Sequence, residues 1–212
     1  GNESSVQSSV IELKQSDRKA VIGLGGKIKE NNYEIVGGSY LNNTGNGFHD
    51  SYANIDMLDL EGNVWFTMIK KKQDLDESLL GKYQFKEIKS GSLTTNDNIQ
   101  FDSTDAGPYP DRFIKTGYLF AEKTLDGTMR NGFVFVNVPY GIYTVRILPS
   151  RTNVRNNGNY DDNYYQVNNS PIQHPKFELC KNNDKFITFN NIEVEDGTLI
   201  IMSWKQSENW GY

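Results

Sequence analysis

The sequence has few of the residues that catalytic and metal centres most often use. Its 212 residues include one cysteine, Cys180, and two histidines, His49 and His174. A single cysteine excludes an internal disulfide and a cysteine-based metal cluster. The histidines are far apart and outside any HExxH spacing, and no serine occupies a G-x-S-x-G turn. The turn Gly23-Leu24-Gly25-Gly26 lacks the G-K-[ST] of a phosphate loop. We therefore expect no catalytic residue, no cofactor and no enzymatic activity; a hydrolase or lyase with an unconventional site is the weaker alternative.

Positive charge and long apolar runs are also scarce. Lysine and arginine number 22 against 27 acidic residues, for a net charge of −5. Nucleic-acid binding depends on a dense basic face, so we expect no nucleic-acid partner. No run approaches the roughly 18 apolar residues that a transmembrane helix needs. Proline is rare, at six residues, whereas 24 asparagines and 19 glycines favour many turns.

What the sequence does contain is short alternating strands separated by turns. Gly132–Val138 and Ile142–Leu148 flank Pro139-Tyr140-Gly141, a pattern that predicts a β-hairpin. Only Asp74–Leu80 has the pattern of a helix. Many short strands with little helix predict an all-β sandwich or barrel. The alternation places the following residues in its core: Phe133, Phe135, Tyr143, Val145, Phe186, Phe189, Leu199 and Ile201.

The organisation predicted along the chain is a flexible leader over residues 1–17 and one β-sandwich domain over residues 18–212. The start Gly1-Asn2-Glu3-Ser4-Ser5 has neither a methionine nor an apolar segment. It favours a chain that follows a removed export segment. We expect a secreted protein or a lipoprotein held at the bacterial surface by a lipid upstream of Gly1. Excision from a cytoplasmic protein is the alternative.

The order of motifs in residues 131–204 resembles a known group. These motifs are F-V-F-V-N-V-P-Y-G-I-Y-T-V-R-I-L, then Y-Y-Q-V-N-N, then F-I-T-F-N-N-I-E-V-E-D-G-T-L-I-I. They are similar to the galactose-binding-domain-like jelly rolls, in particular to malectin-like modules and to the carbohydrate-binding modules of agarases. The resemblance implies a single jelly-roll β-sandwich. Members of the group usually add a strand after the penultimate one; here it is missing or an N-terminal strand replaces it.

The same resemblance implies a glycan site at one end of the sandwich. Pyranose rings stack on aromatic side chains, and their hydroxyls need fixed polar partners. The loops Arg151–Tyr164 and Lys205–Trp210 correspond to the ligand end of malectin-like modules, and residues near 109–112 would complete a groove. The predicted ligand-binding residues are Tyr109, Arg112, Arg151, Tyr160, Tyr164, Trp204, Glu208, Asn209 and Trp210. The alternative is that Trp204 belongs to the core and that Tyr109 and Tyr160 are ordinary exposed tyrosines.

Two further possibilities stay open from the sequence. Asn157, Asn159, Asp161 and Asn163 alternate as oxygen donors, so they are candidates for a structural calcium ion, with a solvated loop as the alternative. The predicted function is a non-catalytic carbohydrate-binding module in a polysaccharide-processing system. The alternative is a structural or protein-interaction sandwich, such as an adhesin or a subunit of a surface complex.

Overall fold

Two β-sheets form the framework of the protein in a computed structural model. It describes residues 5–6, 10–24, 31–44, 48, 50–83, 107–110, 113, 120–121, 131–150, 163–177 and 182–205. About half of these residues lie in strands and few in helices, which confirms the predicted all-β sandwich. The strands in chain order are β1 (Ser5–Val6), β2 (Val10–Gln15), β3 (Arg18–Gly23), β4 (Tyr33–Val36), β5 (Ser39–Asn43), β6 (Ile55–Leu58), β7 (Val64–Met68), β8 (Phe120–Ala121), β9 (Asn131–Val136), β10 (Gly141–Leu148), β11 (Asn163–Val167), β12 (Ile187–Val194) and β13 (Leu199–Lys205).

The strands are divided between a six-stranded sheet, in the order β12-β10-β2-β3-β5-β4, and a five-stranded sheet, in the order β11-β13-β9-β7-β6. The pairings are antiparallel except that of β3 with β5. The short strands β1 and β8 form a separate pair. A 3₁₀ turn (Lys72–Asp74) and a helix, α1 (Glu77–Lys82), follow β7.

The main core lies between the two sheets. Tyr143, Val145 and Ile147 on β10 alternate inward and meet Phe133 and Phe135 from β9 of the other sheet. Seven of the eight predicted core residues lie in this layer. Phe186 does not, because Ile187 and Phe189 face inward and the two-residue period turns its ring to the outer face.

The segment predicted as a flexible leader contributes an internal strand. Residues 10–15 form β2, which pairs with both β10 and β3. Ile11 and Leu13 face the core, whereas Glu12 lies on the outer face with Lys19 and Arg146 as cationic partners. The prediction of a leader over residues 1–17 was therefore wrong for this stretch. The buried carboxylate of Glu12 is accommodated by cations on the neighbouring strands, and the composition of the segment does not reveal them.

The predicted β-hairpin is also wrong, although both of its strands exist. β9 pairs with β13 and β7, whereas β10 pairs with β12 and β2, so the turn between β9 and β10 crosses from one sheet to the other. The Tyr143 hydroxyl donates a hydrogen bond to the Pro139 carbonyl over 2.6 Å and fixes this crossing. Two strands that bury apolar residues on either side of a short turn can pair or can face each other across a core. The local pattern is the same in both cases.

Both sheets are also covered on their outer faces. Phe48, Ile69 and Tyr83 pack on Val134 and Ile200 of the five-stranded sheet. On the six-stranded sheet, a second cluster contains Val10, Val21, Leu41, Tyr109, Phe113 and Leu148. The helix predicted at Asp74–Leu80 forms as α1 at Glu77–Lys82, with the Asp76 carboxylate accepting a hydrogen bond from the Ser78 N–H at its N-terminus.

One side of the sandwich is closed by hydrogen bonds between the sheets. The buried Asn42 side chain on β5 donates to the Leu58 carbonyl over 2.8 Å and accepts from the Leu58 N–H over 2.8 Å, which ties β5 to β6. On the opposite side the edge strands are β11 and β12, and Gln173 bridges them by donating to the Thr188 carbonyl over 2.6 Å. Beyond that bridge the two edges enclose a cleft.

Candidate functional site

A polar cleft of about 420 Å³ lies on this second side. It sits at the lower end of the sandwich, which we define as the end where β9 crosses to β10. Asparagine, serine and acidic residues make up most of its lining. The lining residues are Lys82, Tyr83, Val167, Asn168, Asn169, Ser170, Pro171, Asn190, Asn191, Ile192, Glu193, Glu195 and Asp196.

A β-bulge in β12 shapes one wall of the polar cleft. Tyr143 pairs with Ile192 and Val145 pairs with Phe189, so two residues, Asn190 and Asn191, stand opposite Thr144 alone. Asn191 adopts a left-handed backbone with φ of 56°, a conformation that asparagine tolerates better than most residues. Bulges re-aim side chains and end regular pairing. This bulge places a pair of amides at the cleft wall.

The opposite wall begins where β11 ends. Asn168 is also left-handed, with φ of 47°, and its side chain continues the sheet. Its amide donates to the Thr198 carbonyl over 3.1 Å, and its oxygen accepts from the Ile200 N–H over 2.7 Å. Asn168 is thus a buried clamp that holds the turn in place. The clamp leaves Asn169 exposed on the cleft side.

A three-residue polar group closes the end of the cleft beside α1. Lys82 Nζ lies 2.5 Å from Asp196 Oδ2, and the Tyr83 hydroxyl donates to the same oxygen over 3.2 Å. Partial burial raises the pKa of Asp196, but the hydrogen bonds from Lys82 and the Thr198 N–H outweigh it and hold the pKa below 3.8. Desolvation and the Asp196 charge raise the pKa of Tyr83 above 10.0. At neutral pH this group therefore consists of an ammonium, a carboxylate and a neutral phenol.

Two exposed glutamates line the rest of the polar cleft. A hydrogen bond to Glu195, together with its charge, raises the pKa of Glu193 above its ordinary value of 4.5. Glu193 lies in β12 and Glu195 directly follows the end of that strand, so both belong to the same wall of the cleft. Lys82 is already engaged by Asp196, so no unpaired cation stands beside these glutamates among the described lining residues.

The loop site predicted from the sequence belongs to the other, upper end. β9 runs toward the lower end and β10 away from it, and β13 is antiparallel to β9. β10 and β13 therefore both finish at the upper end, at Leu148 and Lys205, as the predicted loop site requires. Six of its predicted residues lie outside the described residues: Arg112, Arg151, Tyr160, Glu208, Asn209 and Trp210. So do three of the four candidate calcium ligands, Asn157, Asn159 and Asp161. The loop site stays a prediction.

The three described members of the predicted site are divided between the two outer faces. Trp204 is fully buried on the five-stranded sheet, in agreement with the core alternative, and the half-buried Tyr164 stacks on it at 5.9 Å. The ring of His174 also stacks on Tyr164, with their centres 4.4 Å apart. Tyr109 is buried on the six-stranded sheet, where desolvation and a hydrogen bond with Glu12 raise its pKa. The structure therefore brings Tyr164 and Trp204 together and leaves Tyr109 apart from them.

A second cleft of about 510 Å³ lies near the turn between β2 and β3, lined by Asp17, Arg18, Lys19, Asp59, Leu60, Glu61 and Asn63. Its central charges are engaged with each other. Arg18 Nε is 2.8 Å from Asp59 Oδ2, and the Arg18 guanidinium lies 4.7 Å from the centre of the Trp65 ring. Asp59 also accepts the backbone N–H groups of Glu61 and Asn63. These bonds stabilise the β6–β7 turn, so the polar cleft is the stronger candidate site.

The polar cleft was missed in the sequence. Its residues come from three separate segments, and the two that fall in the motifs of the resemblance, 164–169 and 186–201, are not at the ligand end that the resemblance implies. The doublets Asn168-Asn169 and Asn190-Asn191 were visible, but asparagine doublets equally mark simple turns.

The fold and the polar cleft together define the chain as an all-β sandwich protein with a polar cleft at one open edge. Comparisons with protein family models, with curated proteins and with solved structures found no match. No helix in the described ranges is long and apolar enough to cross a membrane. Within those ranges, no group of three or more histidine, cysteine and acidic side chains is arranged to hold a metal ion.

Proposed function

We propose that the polar cleft binds carbohydrate without cleaving it, and that the protein acts outside the cytoplasm as a recognition module of a polysaccharide-processing system. The observation that carries the proposal is the lining of the cleft, where amide, hydroxyl and carboxylate groups stand beside small apolar surfaces. The exported location and the system are supported by the resemblance of residues 131–204 to malectin-like modules and by the acidic net charge of −5.

The donor and acceptor groups of the cleft suit hydroxyl-rich ligands. A sugar hydroxyl both donates and accepts hydrogen bonds, and an asparagine amide offers both functions. Asn169 and Asn190 are exposed on opposite walls, and no hydrogen bond ties either side chain to the rest of the described chain. Pro171 is exposed and supplies an apolar contact for the C–H face of a sugar ring. The cleft volume, about 420 Å³, accommodates a short oligosaccharide segment.

Binding without cleavage is supported by the placement of the acids. Glycoside hydrolysis needs two carboxyl groups roughly 5–9.5 Å apart on either side of the scissile bond. Glu193 and Glu195 lie on the same wall instead, at the end of β12, and Asp196 is held by Lys82 and Tyr83. This arrangement favours recognition of hydroxyls over proton transfer.

The test is retention on a panel of immobilised polysaccharides. We compare the wild type with a variant carrying Asn169→Ala and Asn190→Ala, and with Asn63→Ala in the second cleft as a matched control. Each lost hydrogen bond contributes about 0.5–1.5 kcal/mol, so the double variant should bind roughly tenfold more weakly at an unchanged melting temperature. Asn63→Ala should bind like the wild type.

A Trp210→Ala variant tests the site predicted from the sequence at the upper end. Loss of retention in Trp210→Ala, with wild-type retention in the cleft variant, would move the site to the upper loops. Absence of retention on all polysaccharides would overturn the proposal.

A protein-interaction module is the second candidate. Tyr140 and Ile142 are 74% and 61% exposed and lie beside the edge strand β12, where Ile142 pairs with Glu193. Exposed large apolar side chains that lie close together are typical of protein contact surfaces. Tyr140→Ser with Ile142→Ser should leave glycan retention intact if the first proposal holds. The same variant should abolish capture of a protein partner if the second holds.

A further inference from the structure

We infer that the polar cleft selects neutral glycans and rejects anionic ones such as uronates and sulfated sugars. This inference rests on the proposed function and assigns its ligand class. It is carried by the geometry of the charged groups around the cleft rather than by any one of them.

The cleft has one cation and three carboxylates in its described lining. The cation, Lys82, lies 2.5 Å from Asp196, and the Tyr83 hydroxyl holds the same oxygen. The Asp196 carboxylate already offsets the charge of Lys82, so the ammonium attracts a second anion less strongly than a free lysine would. The geometry thus leaves the lining without a cation whose charge is free to attract an anionic ligand.

The other two acidic residues of the lining present negative charge to a ligand with no cation beside them. Glu193 and Glu195 are both exposed and have no ion-pair partner among the described residues. A ligand anion about 6 Å from one carboxylate in water loses roughly threefold in affinity, and two such carboxylates cost roughly tenfold. A neutral sugar gains affinity instead, because a carboxylate accepts hydrogen bonds from its hydroxyl groups. The net charge of −5 on the chain adds to the repulsion at low salt.

The amides are consistent with the same selection. Asn169 and Asn190 present neutral dipoles that donate to and accept from hydroxyls. Strong recognition of carboxylates and sulfates commonly uses arginine, whose planar fork binds two oxygens. The described lining contains no arginine.

The test compares matched polymers that differ in charge. Retention in affinity gels is measured with hydroxyethyl cellulose against carboxymethyl cellulose and with galactan against polygalacturonate. The variants are Glu193→Gln with Glu195→Gln, and a charge-matched control, Asp17→Asn with Glu61→Gln, in the second cleft. We expect the wild type to prefer the neutral polymer of a pair by about tenfold or more.

In the cleft variant the ratio of anionic to neutral retention should rise about tenfold, and in the control it should barely change. The preference of the wild type for the neutral polymer should shrink as the salt concentration rises from about 0.01 M to 1 M, because the screening length falls from roughly 30 Å to 3 Å. Equal or stronger retention of the anionic polymer by the wild type would overturn the inference alone. An unchanged ratio in the cleft variant would do the same. Retention of no polymer by any of the proteins would overturn the proposed function, and the inference with it.

Discussion

Lys70 buries its amino group just after β7, at a position that makes its charge costly to the folded state. The side chain is 1% exposed, and its Nζ donates a hydrogen bond to the Thr44 carbonyl over 2.7 Å. The ring of Tyr52 lies 5.6 Å away, and no acidic group of the described chain pairs with the ammonium. Desolvation lowers the pKa of Lys70 from 10.5 to about 8. The charged form is therefore disfavoured in the folded protein.

This change of pKa fixes how stability depends on pH. Below about pH 8, Lys70 is charged in both states, and above 10.5 it is neutral in both. Between these values the unfolded chain binds more protons, so the free energy of unfolding rises with pH. At 1.36 kcal/mol for each pH unit, the gain is about 3 kcal/mol across this window.

We predict that Lys70→Met is more stable than the wild type at pH 7, by about 1–3 kcal/mol, because methionine fills the space without a buried charge. This advantage should shrink by about 3 kcal/mol as the pH rises to 10.5. Urea unfolding of both proteins at several pH values measures the difference. Lys71→Met, at the exposed neighbouring position, should give a difference that does not vary with pH. A Lys70→Met difference that is constant from pH 7 to 10.5 would refute the reasoning.

Two further predictions concern packing. Phe135→Ala should lower the free energy of unfolding by about 3–5 kcal/mol, because it empties the centre of the core where Phe135 meets Phe66 edge to face. Urea unfolding measures this loss, and a loss under about 1 kcal/mol would contradict the placement of Phe135. Gly62→Ala should destabilise by about 1–3 kcal/mol, since Gly62 has φ of +89° and a Cβ there would lie 2.6 Å from the Tyr40 ring. Gly81→Ala, where a Cβ meets nothing within 4 Å, is the control, and equal melting temperatures for the two variants would contradict the assignment.

Much of the local structure could be predicted from the sequence. Tyr143, Val145 and Phe135 were placed in the core because alternation along a strand is a local property that the chain carries wherever the strand pairs. The helix at Glu77–Lys82 was recognisable for the same reason, since Asp76 caps it from the adjacent turn. The predicted core set fits the structure except for Phe186. Its ring lies on the outer face of the six-stranded sheet, whereas the next residue, Ile187, faces the core.

The candidate site was not predictable in the same way. The lining comes from three distant segments, which contain Lys82, Asn168 and Asn190. They meet only because β11 and β12 are the outer strands on the same side of the two sheets. Asparagine doublets and runs of acidic residues are common in turns, so in the sequence alone they do not indicate a binding site. The bulge that aims Asn190 into the cleft depends on pairing with β10, and no local pattern specifies it.

The sequence by itself determined that the chain forms many short strands, which side of strands such as β9 and β10 is apolar, and that a short helix follows β7. These properties follow from side-chain alternation and from capping, which act over a few residues. The tertiary structure decided that β9 and β10 lie in different sheets, that β2 is an internal strand, and that Lys70 is buried. Partner choice among strands depends on how distant apolar faces fill a common core. Only that packing determines which polar groups are left to line a cleft.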